Sequence, residues 1–166
     1  MNPSFHKFKS IITRPILFKF FLFQKLSSAF FAGLSIHQFD AETCVVRIKL
    51  SWFNQNPFRS MYFAVEAMAA EMCSGMLAIS QVYQRSPKVS MLVEGMEAAF
   101  LKKATGVILF SCDQGKEIEM AVEEAIRTGE STKITCLSLG KNSEGIVVAE
   151  FKMHWTFKVK NWVRPN

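Results

Sequence analysis

An acidic residue, Glu71, lies in the middle of an apolar stretch, where a carboxylate is suited to act as a general base or a nucleophile. Its neighbours at helical spacing include the small residues Ala67, Ser74, Gly75 and Ala78, which leave room beside the carboxylate for a small molecule. Partial burial would raise the pKa of Glu71, which favours a general base. The alternative is a structural Glu71 held in a salt bridge to an Arg or Lys.

Polar residues with a possible chemical role also precede this stretch. Asn56 is placed to orient a water molecule or a carbonyl group, or only to shape the turn before Pro57. Arg59 is either a solvated loop charge or a contact for an anion. Glu66 is five positions before Glu71, about 140° away around a helix, so we interpret Glu66 as structural.

A long helix must carry these carboxylates. Residues 61–84 are rich in Ala, Met, Glu and Leu and contain one Gly and no Pro, which predicts a helix. Ser60 is expected to cap its start. The helix is apolar around nearly all of its circumference, and such a helix must be covered on all sides. Its methionines are expected to fill the core rather than to bind a ligand.

Six strands and a shorter helix are predicted to cover this long helix. The predicted strands are 34–40, 43–52, 88–103 (with a bulge at Gly95), 106–113, 133–140 and 145–160. Residues 116–128 are predicted to form an amphipathic helix that Gly129 ends. This order predicts an α+β fold in which an antiparallel sheet curls around the apolar helix. The short helix is expected at an edge of the sheet.

The N-terminal region resembles a membrane span in composition. Residues 11–34 are very apolar, but Arg14, Lys19 and Lys25 interrupt them. No uncharged run therefore reaches the roughly 18–20 residues that a span requires. A signal peptide would end in a small-residue cleavage site, and no clear site follows. We therefore expect no stable membrane insertion.

The same region is predicted to be helical. Pro15 suits the first turn of a helix that runs to about Phe31 and ends at Gly33. This helix is expected to pack on the domain with its lysine heads pointing outward. An interfacial membrane helix is the alternative. The predicted organisation is a helical segment, 1–33, followed by one domain, 34–166.

Composition excludes some classes of protein and leaves others open. A hydrophobic content of 49% in 166 residues indicates one folded domain rather than a disordered chain. The formal net charge of +6 favours an anionic partner. No aromatic-plus-basic RNA motif accompanies it, so we expect no nucleic-acid binding. Widely spaced cysteines without a C-x-x-C pair indicate reduced thiols in a cytoplasmic protein and no metal site. They are Cys44, Cys73, Cys112 and Cys136.

One segment resembles the signature region of hotdog-fold thioesterases, in particular the branch that includes the phenylacetate-pathway thioesterases. The segment 54–71 has the sequence NQNPFRSMYFAVEAMAAE. In that branch a loop Asn is followed by His-Gly-Gly at the start of the central helix, and then by an Ala-Asp pair with the catalytic carboxylate. Asn56 falls on the Asn, Tyr62-Phe63-Ala64 on His-Gly-Gly, and Ala70-Glu71 on Ala-Asp. The predicted element order matches the family over 34–160.

The resemblance implies a hotdog fold and the hydrolysis of an acyl thioester carried by coenzyme A or by acyl carrier protein. It also implies a homodimer or homotetramer, and no cofactor apart from the coenzyme A of the substrate. A carboxylate activates water or attacks the carbonyl, and free N–H groups at a helix start stabilise the oxyanion. The predicted site residues are Glu71 and Asn56 for catalysis, Tyr62, Phe63 and Ala64 for the oxyanion, and Arg59, Met68 and Gly75 for substrate binding.

Other functions remain open. A hotdog protein can bind acyl-CoA without cleaving it. A dehydratase or hydratase of this fold generally pairs a His with a carboxylate, and Tyr62 stands where that His is expected. A membrane-associated protein that uses its first 33 residues is a further possibility.

Overall fold

The computed structural model describes residues 2–160, so the last six residues of the predicted domain 34–166 lie outside the described part. The elements are α1 (Phe5–Ile12), α2 (Pro15–Lys25), α3 (Ser27–Ala32), β1 (Ser35–Phe39), β2 (Cys44–Lys49), a 3-10 helix (Trp52–Asn54), α4 (Phe63–Val82), β3 (Val89–Phe100), β4 (Val107–Cys112), α5 (Gly115–Thr128), β5 (Thr132–Lys141) and β6 (Val147–Val159).

The six strands form one antiparallel sheet in the order β1-β2-β4-β5-β6-β3. Helix α4 packs against β2, β4, β5 and β6, and its buried side chains join those of the sheet in one hydrophobic core. All six predicted strands and the long central helix are present. The predicted α+β hotdog architecture, with a sheet wrapped around a long helix, is confirmed.

Polar bonds also hold α4 in the sheet. The Trp155 indole Nε1 donates to Ser74 Oγ at 2.9 Å, and the Ser138 hydroxyl donates to the Ala70 carbonyl at 2.9 Å. Both bonds are buried, so their donors remain satisfied inside the apolar core. They fix the rotation of α4 about its axis and thus the direction of its carboxylates.

Two local predictions about helices are wrong. Ser60 does not cap α4, because the N-cap residue is Tyr62 and the Ser60 hydroxyl bonds with the Asn56 side chain instead. Helix α5 does not lie at an edge of the sheet. It packs beside α4 on β5 and β6, because Ile118 and Val122 on its apolar face are fully buried there.

Other local predictions are confirmed. The register of β3 against β6 shifts between Val93 and Gly95, which is the predicted bulge. Gly129 ends α5 with a φ of 77°, in the left-handed region that favours glycine. The four cysteines are free and buried, as expected for reduced core thiols.

The N-terminal segment forms three helices rather than the single helix predicted. Pro15 begins α2 and Gly33 ends α3, as expected, but the backbone of Leu26 leaves the helical region and separates α2 from α3. Helix α1 lies before them. Phe5 and Phe8 from α1 are buried in the same core as the sheet. The segment is therefore packed on the domain rather than independent of it.

Helix α4 is long and apolar enough to cross a membrane if length and composition alone are considered. It is the one such helix among the described residues, and 67% of its most apolar window is buried inside the fold. This burial identifies α4 as the core helix of the domain.

Candidate active site

A cavity of about 590 Å³ opens at the N-terminal end of α4, within the size range of small-molecule sites. Its walls are the loop before α4, the first turns of α4, and residues 100–104 after β3. Of the predicted site residues, Asn56, Tyr62 and Phe63 line this cavity. Glu66 lines it as well.

Asn54 holds the loop beside the cavity. Its buried side-chain amide donates to the carbonyl of Ala32 at 3.1 Å and to that of Lys49 at 3.0 Å. Its backbone carbonyl accepts a bond from the Tyr62 N–H at 2.9 Å. One residue therefore joins the N-terminal helices, the end of β2 and the start of α4.

Asn56 shapes the next part of the loop. Its Nδ2 donates to Ser60 Oγ at 3.0 Å and to the Met61 carbonyl at 3.1 Å, which uses both amide hydrogens. Its Oδ1 accepts the Phe58 N–H at 2.9 Å. The side chain is thus committed to the loop, the second of the two roles considered for it, and positions the residues that follow.

The start of α4 provides two free backbone donors. The N–H groups of Phe63 and Ala64 have no hydrogen-bond partner among the described residues, as is usual in the first turn of a helix. The N–H of Tyr62 differs, because it donates to the Asn54 carbonyl. Of the three predicted oxyanion donors, Phe63 and Ala64 are available and Tyr62 is not.

Glu66 is a buried residue with an unsatisfied carboxylate oxygen. It is only 4% exposed, and its Oε2 atom is buried with no hydrogen-bond partner among the described residues. Burial raises the pKa of Glu66 from 4.5 to about 7. A carboxyl group that titrates near neutral pH inside a cavity is well suited to general base catalysis.

Glu66, which was interpreted from the sequence as structural, therefore lies in the wall of the cavity. The signal was its spacing: Glu66 is four positions after Tyr62, so it lies on the same face of α4 as the helix start. The spacing between Tyr62 and Glu66 therefore indicates this residue, whereas the spacing between Glu66 and Glu71 does not.

Glu71 lies further along α4 and does not line the cavity. It is half-buried, and it makes no ion pair or hydrogen bond through its carboxylate to any described residue. Burial raises its pKa. Its Oε1 atom is next to Gly75, beside the ring of Trp155. The salt bridge considered as the structural alternative is therefore absent among the described residues.

The positive charge at the cavity comes from Lys102 and Lys103, which are exposed at its rim. From the sequence, Arg59 was interpreted as either a solvated loop charge or an anion contact, and it was included among the predicted substrate-binding residues. Arg59 is exposed, has a φ of 59°, and is not part of the cavity wall. In the sequence, the adjacent lysines at positions 102 and 103 were the signal that could have indicated this positive charge.

Aromatic side chains form the apolar part of the wall. The rings of Tyr62 and Phe63 are 4.8 Å apart, and the ring of Phe63 is 6.3 Å from that of Phe100. Met68 and Gly75, the predicted substrate-binding residues of α4, lie outside the cavity wall. The apolar surface offered to a ligand thus comes from the loop before α4, which contributes Phe58, from the helix start and from the end of β3.

No group of three or more His, Cys, Asp or Glu in the part of the chain that the structure describes is arranged to hold a metal ion. His6, His37 and His154 are also not in the cavity wall.

A protein-family model matches most of the chain. The family is described as "Domain of unknown function (DUF4442)", and its model matches residues 16–157. No functionally curated protein matches the sequence significantly.

Solved structures resemble the fold closely at low sequence identity. A Pseudomonas aeruginosa protein described as a probable thioesterase has a TM-score of 0.75 and 20% identity, over 90% of this chain and 99% of that one. A proposed thioesterase from Shewanella oneidensis has a TM-score of 0.73 and 11% identity, over 92% and 99%. The PaaI protein of the Escherichia coli phenylacetic acid degradation operon has a TM-score of 0.64 and 14% identity, over 93% and 95%. These likenesses establish the hotdog fold of the chain.

Proposed function

The chain belongs to the family described as "Domain of unknown function (DUF4442)". From its hotdog fold and the residues around the cavity at the start of α4, we propose that it hydrolyses acyl thioesters. The observation that carries the proposal is the Glu66 carboxylate, whose Oε2 atom has no hydrogen-bond partner among the described residues, in the wall of a cavity that Phe63 at the start of α4 also lines. A base and oxyanion donors are the two groups that thioester hydrolysis requires.

In the proposed reaction, Glu66 accepts a proton from water while the water oxygen attacks the thioester carbonyl carbon. The N–H groups of Phe63 and Ala64 stabilise the oxyanion. The C–S bond then breaks, the thiolate leaves, and the proton held by Glu66 passes to the sulfur. The products are a carboxylic acid and a free thiol.

The carrier is proposed to be coenzyme A or the phosphopantetheine of acyl carrier protein. Lys102 and Lys103 at the rim supply positive charge for phosphate groups. The acyl group is proposed to lie against the rings of Tyr62, Phe63 and Phe100. The proposed location is the cytoplasm, where such thioesters are made and used.

A homodimer is also proposed, formed along β3. This twelve-residue strand is at the end of the sheet, and among residues 2–160 its one strand partner is β6, so its outer edge is open in the described part of the chain. Strand β3 also has three exposed large apolar side chains, those of Leu92, Met96 and Phe100. A long open edge with apolar side chains favours pairing with another strand. A second copy would lie close to the cavity, because Phe100 is in its wall.

Glu71 is the second candidate for the base. In a dimer a carbonyl group can be bound between subunits, which would allow Glu71 of one copy to act with the helix start of the other. Its raised pKa and its unpaired carboxylate suit that role.

The proposal is tested with purified protein and a panel of acyl-CoA thioesters of different acyl lengths, by following release of free thiol. Glu66→Gln should lower kcat by about 100-fold or more, since general bases contribute that much. Glu71→Gln should retain kcat within about threefold, and Glu144→Gln, in an exposed turn, is the matched control. Loss of kcat in Glu71→Gln alone would transfer the role to Glu71.

A non-catalytic acyl-CoA-binding protein is the competing function. The commitment of Asn56 to the loop favours it, because that amide is then not free to orient water. Binding of acyl-CoA by calorimetry without thiol release from any member of the panel would establish this alternative. A hydratase is disfavoured because no His lines the cavity.

A further inference from the structure

The positive charge of the chain is concentrated in its first part. Residues 1–39 contain five Lys or Arg and no Asp or Glu. The other 127 residues contain fifteen Lys or Arg and fourteen Asp or Glu and are nearly neutral. The net charge of +6 therefore comes almost entirely from the N-terminal helices and β1.

The same region exposes large apolar side chains. Only Phe18 and Leu22 of α2 are buried, whereas Ile16 is 84% exposed and Phe20 and Phe23 are each more than half exposed. Ile16 and Phe20 are four positions apart, and Phe20 and Phe23 are three positions apart. This spacing places the three side chains in one stripe along α2.

Ring contacts extend the stripe into a continuous patch. Phe23 is 5.3 Å from Phe30, which is 5.3 Å from Phe31, which in turn is 6.2 Å from Phe53. Trp52 is next to Phe53 in the 3-10 helix and is 85% exposed. We call the surface formed by Ile16, Phe20, Phe23, Phe31, Trp52 and Phe53 the aromatic patch. Lys19 and Lys25 are exposed on α2, and Arg14, the residue before this helix, is exposed as well.

We propose that the aromatic patch binds the surface of a membrane that contains anionic phospholipids. Exposed aromatic and aliphatic side chains on a helix that also carries basic residues are characteristic of interfacial binding. Anionic headgroups attract nearby Lys and Arg side chains electrostatically. Helix α2 has 11 residues and so extends about 16 Å, which is too short to cross a bilayer, and the binding is peripheral.

Charge complementarity selects a lipid surface over a second copy of the chain. A symmetric contact through the aromatic patch would bring the same basic segment of two chains together without any acidic residue from that segment to offset it. Helix α2 packs against β1, at the opposite end of the sheet from β3. Membrane binding therefore leaves the open edge of β3 available, and it does not depend on the thioesterase activity.

The test is co-sedimentation of the full chain with vesicles of phosphatidylcholine alone or with about 30% phosphatidylglycerol, at low salt. We expect at least about fivefold more bound protein with the anionic vesicles, and loss of that excess in about 0.5 M NaCl. The double variant Phe20→Ser/Phe23→Ser should bind at least about fivefold less, with unchanged thermal stability because both side chains are exposed.

Two controls separate the patch from general effects. Met120→Ser removes an exposed apolar side chain from α5 and should bind like the parent protein. Lys158→Glu/Lys160→Glu reverses two charges outside the basic segment and should bind more strongly than Lys19→Glu/Lys25→Glu.

Three results would overturn the proposal. The first is an absence of binding to anionic vesicles, and the second is parent-like binding by Phe20→Ser/Phe23→Ser. The third is a lower molar mass of that variant in solution by light scattering, which would assign the patch to a contact between copies. Trp fluorescence gives a second readout, since a blue shift with anionic vesicles should be reduced in Trp52→Phe.

Discussion

The Oε1 atom of Glu71 lies 2.9 Å from the point where a Cβ atom on Gly75 would stand. The absence of a side chain at Gly75 thus leaves the space that the Glu71 carboxylate occupies. Trp155 bounds the same space, with its Cζ2 atom 3.4 Å from that point. Any side chain at position 75 must displace the carboxylate, because the buried indole ring is fixed by its bond to Ser74.

Gly75→Ala should therefore move the Glu71 carboxylate without removing it. An Ala in a helix interior stabilises it by about 0.5–1 kcal/mol over Gly, and the displacement offsets part of this gain. We expect the free energy of unfolding to change by less than about 1 kcal/mol and kcat to stay within about threefold. A tenfold or larger loss of kcat would instead place Glu71 in the reaction. A double-mutant cycle that combines Gly75→Ala with Glu71→Gln measures the interaction free energy between the two positions.

The pKa of Glu66 predicts how activity and stability depend on pH. Activity should fall as pH decreases through about 7, because the base becomes protonated. The free energy of unfolding should change in the opposite direction to the activity as pH changes. The folded-state pKa, about 7, is above the ordinary value of 4.5, so the unfolding free energy decreases as pH rises between these values.

Glu66→Gln should remove this dependence. Relative to the parent protein it should gain about 1–3 kcal/mol at pH 8 and little at pH 4, because only the ionised carboxylate is costly to bury. Urea unfolding at the two pH values measures the difference, with Glu144→Gln as the exposed control. Equal stability of Glu66→Gln and its parent at pH 8 would contradict the burial of a charge at this position.

The lysines at the cavity rim predict a dependence on the carrier. Lys102→Ala/Lys103→Ala should raise KM for an acyl-CoA about three- to tenfold with little change in kcat, and salt should reduce the difference. An N-acetylcysteamine thioester, which has no phosphate, should be unaffected. Lys158→Ala/Lys160→Ala removes the same charge outside the cavity and serves as the control. Equal KM effects for both thioesters would exclude a phosphate contact.

Asn54 predicts a large effect on stability from a single loop residue. Asn54→Ala removes the donors to the Ala32 and Lys49 carbonyls and leaves buried polar groups unpaired. The expected loss is about 2–3 kcal/mol of unfolding free energy. Gln55→Ala, at the exposed neighbouring position, should change it by less than about 0.5 kcal/mol. Chemical denaturation compares the two variants.

The sheet and the core helix could be predicted from sequence because their signals are local. Alternation with period two marked strands such as β6, and the continuous apolar character of α4 required a surrounding sheet. The break at Leu26 could not be predicted, because it carries no Gly or Pro. The position of this break depends on how α2 and α3 each pack on the rest of the fold.

The site was harder to predict than the fold. Which carboxylate of α4 enters a cavity depends on the rotation of the helix, and tertiary bonds such as that from Trp155 to Ser74 fix this rotation. The family resemblance placed weight on Glu71, while the spacing from the helix start favours Glu66. Lys102 and Lys103 join the cavity only because the chain leaves β3 beside the start of α4.

The buried thiols have a practical consequence for handling the protein. Cys44 and Cys112 are direct partners across β2 and β4, and both are sealed from solvent in the native state. Oxidants therefore reach them only after the sheet opens, at which point all four cysteines become available for scrambled cross-links. Refolding experiments on this chain require a reductant throughout, or oxidation will be mistaken for intrinsic irreversibility.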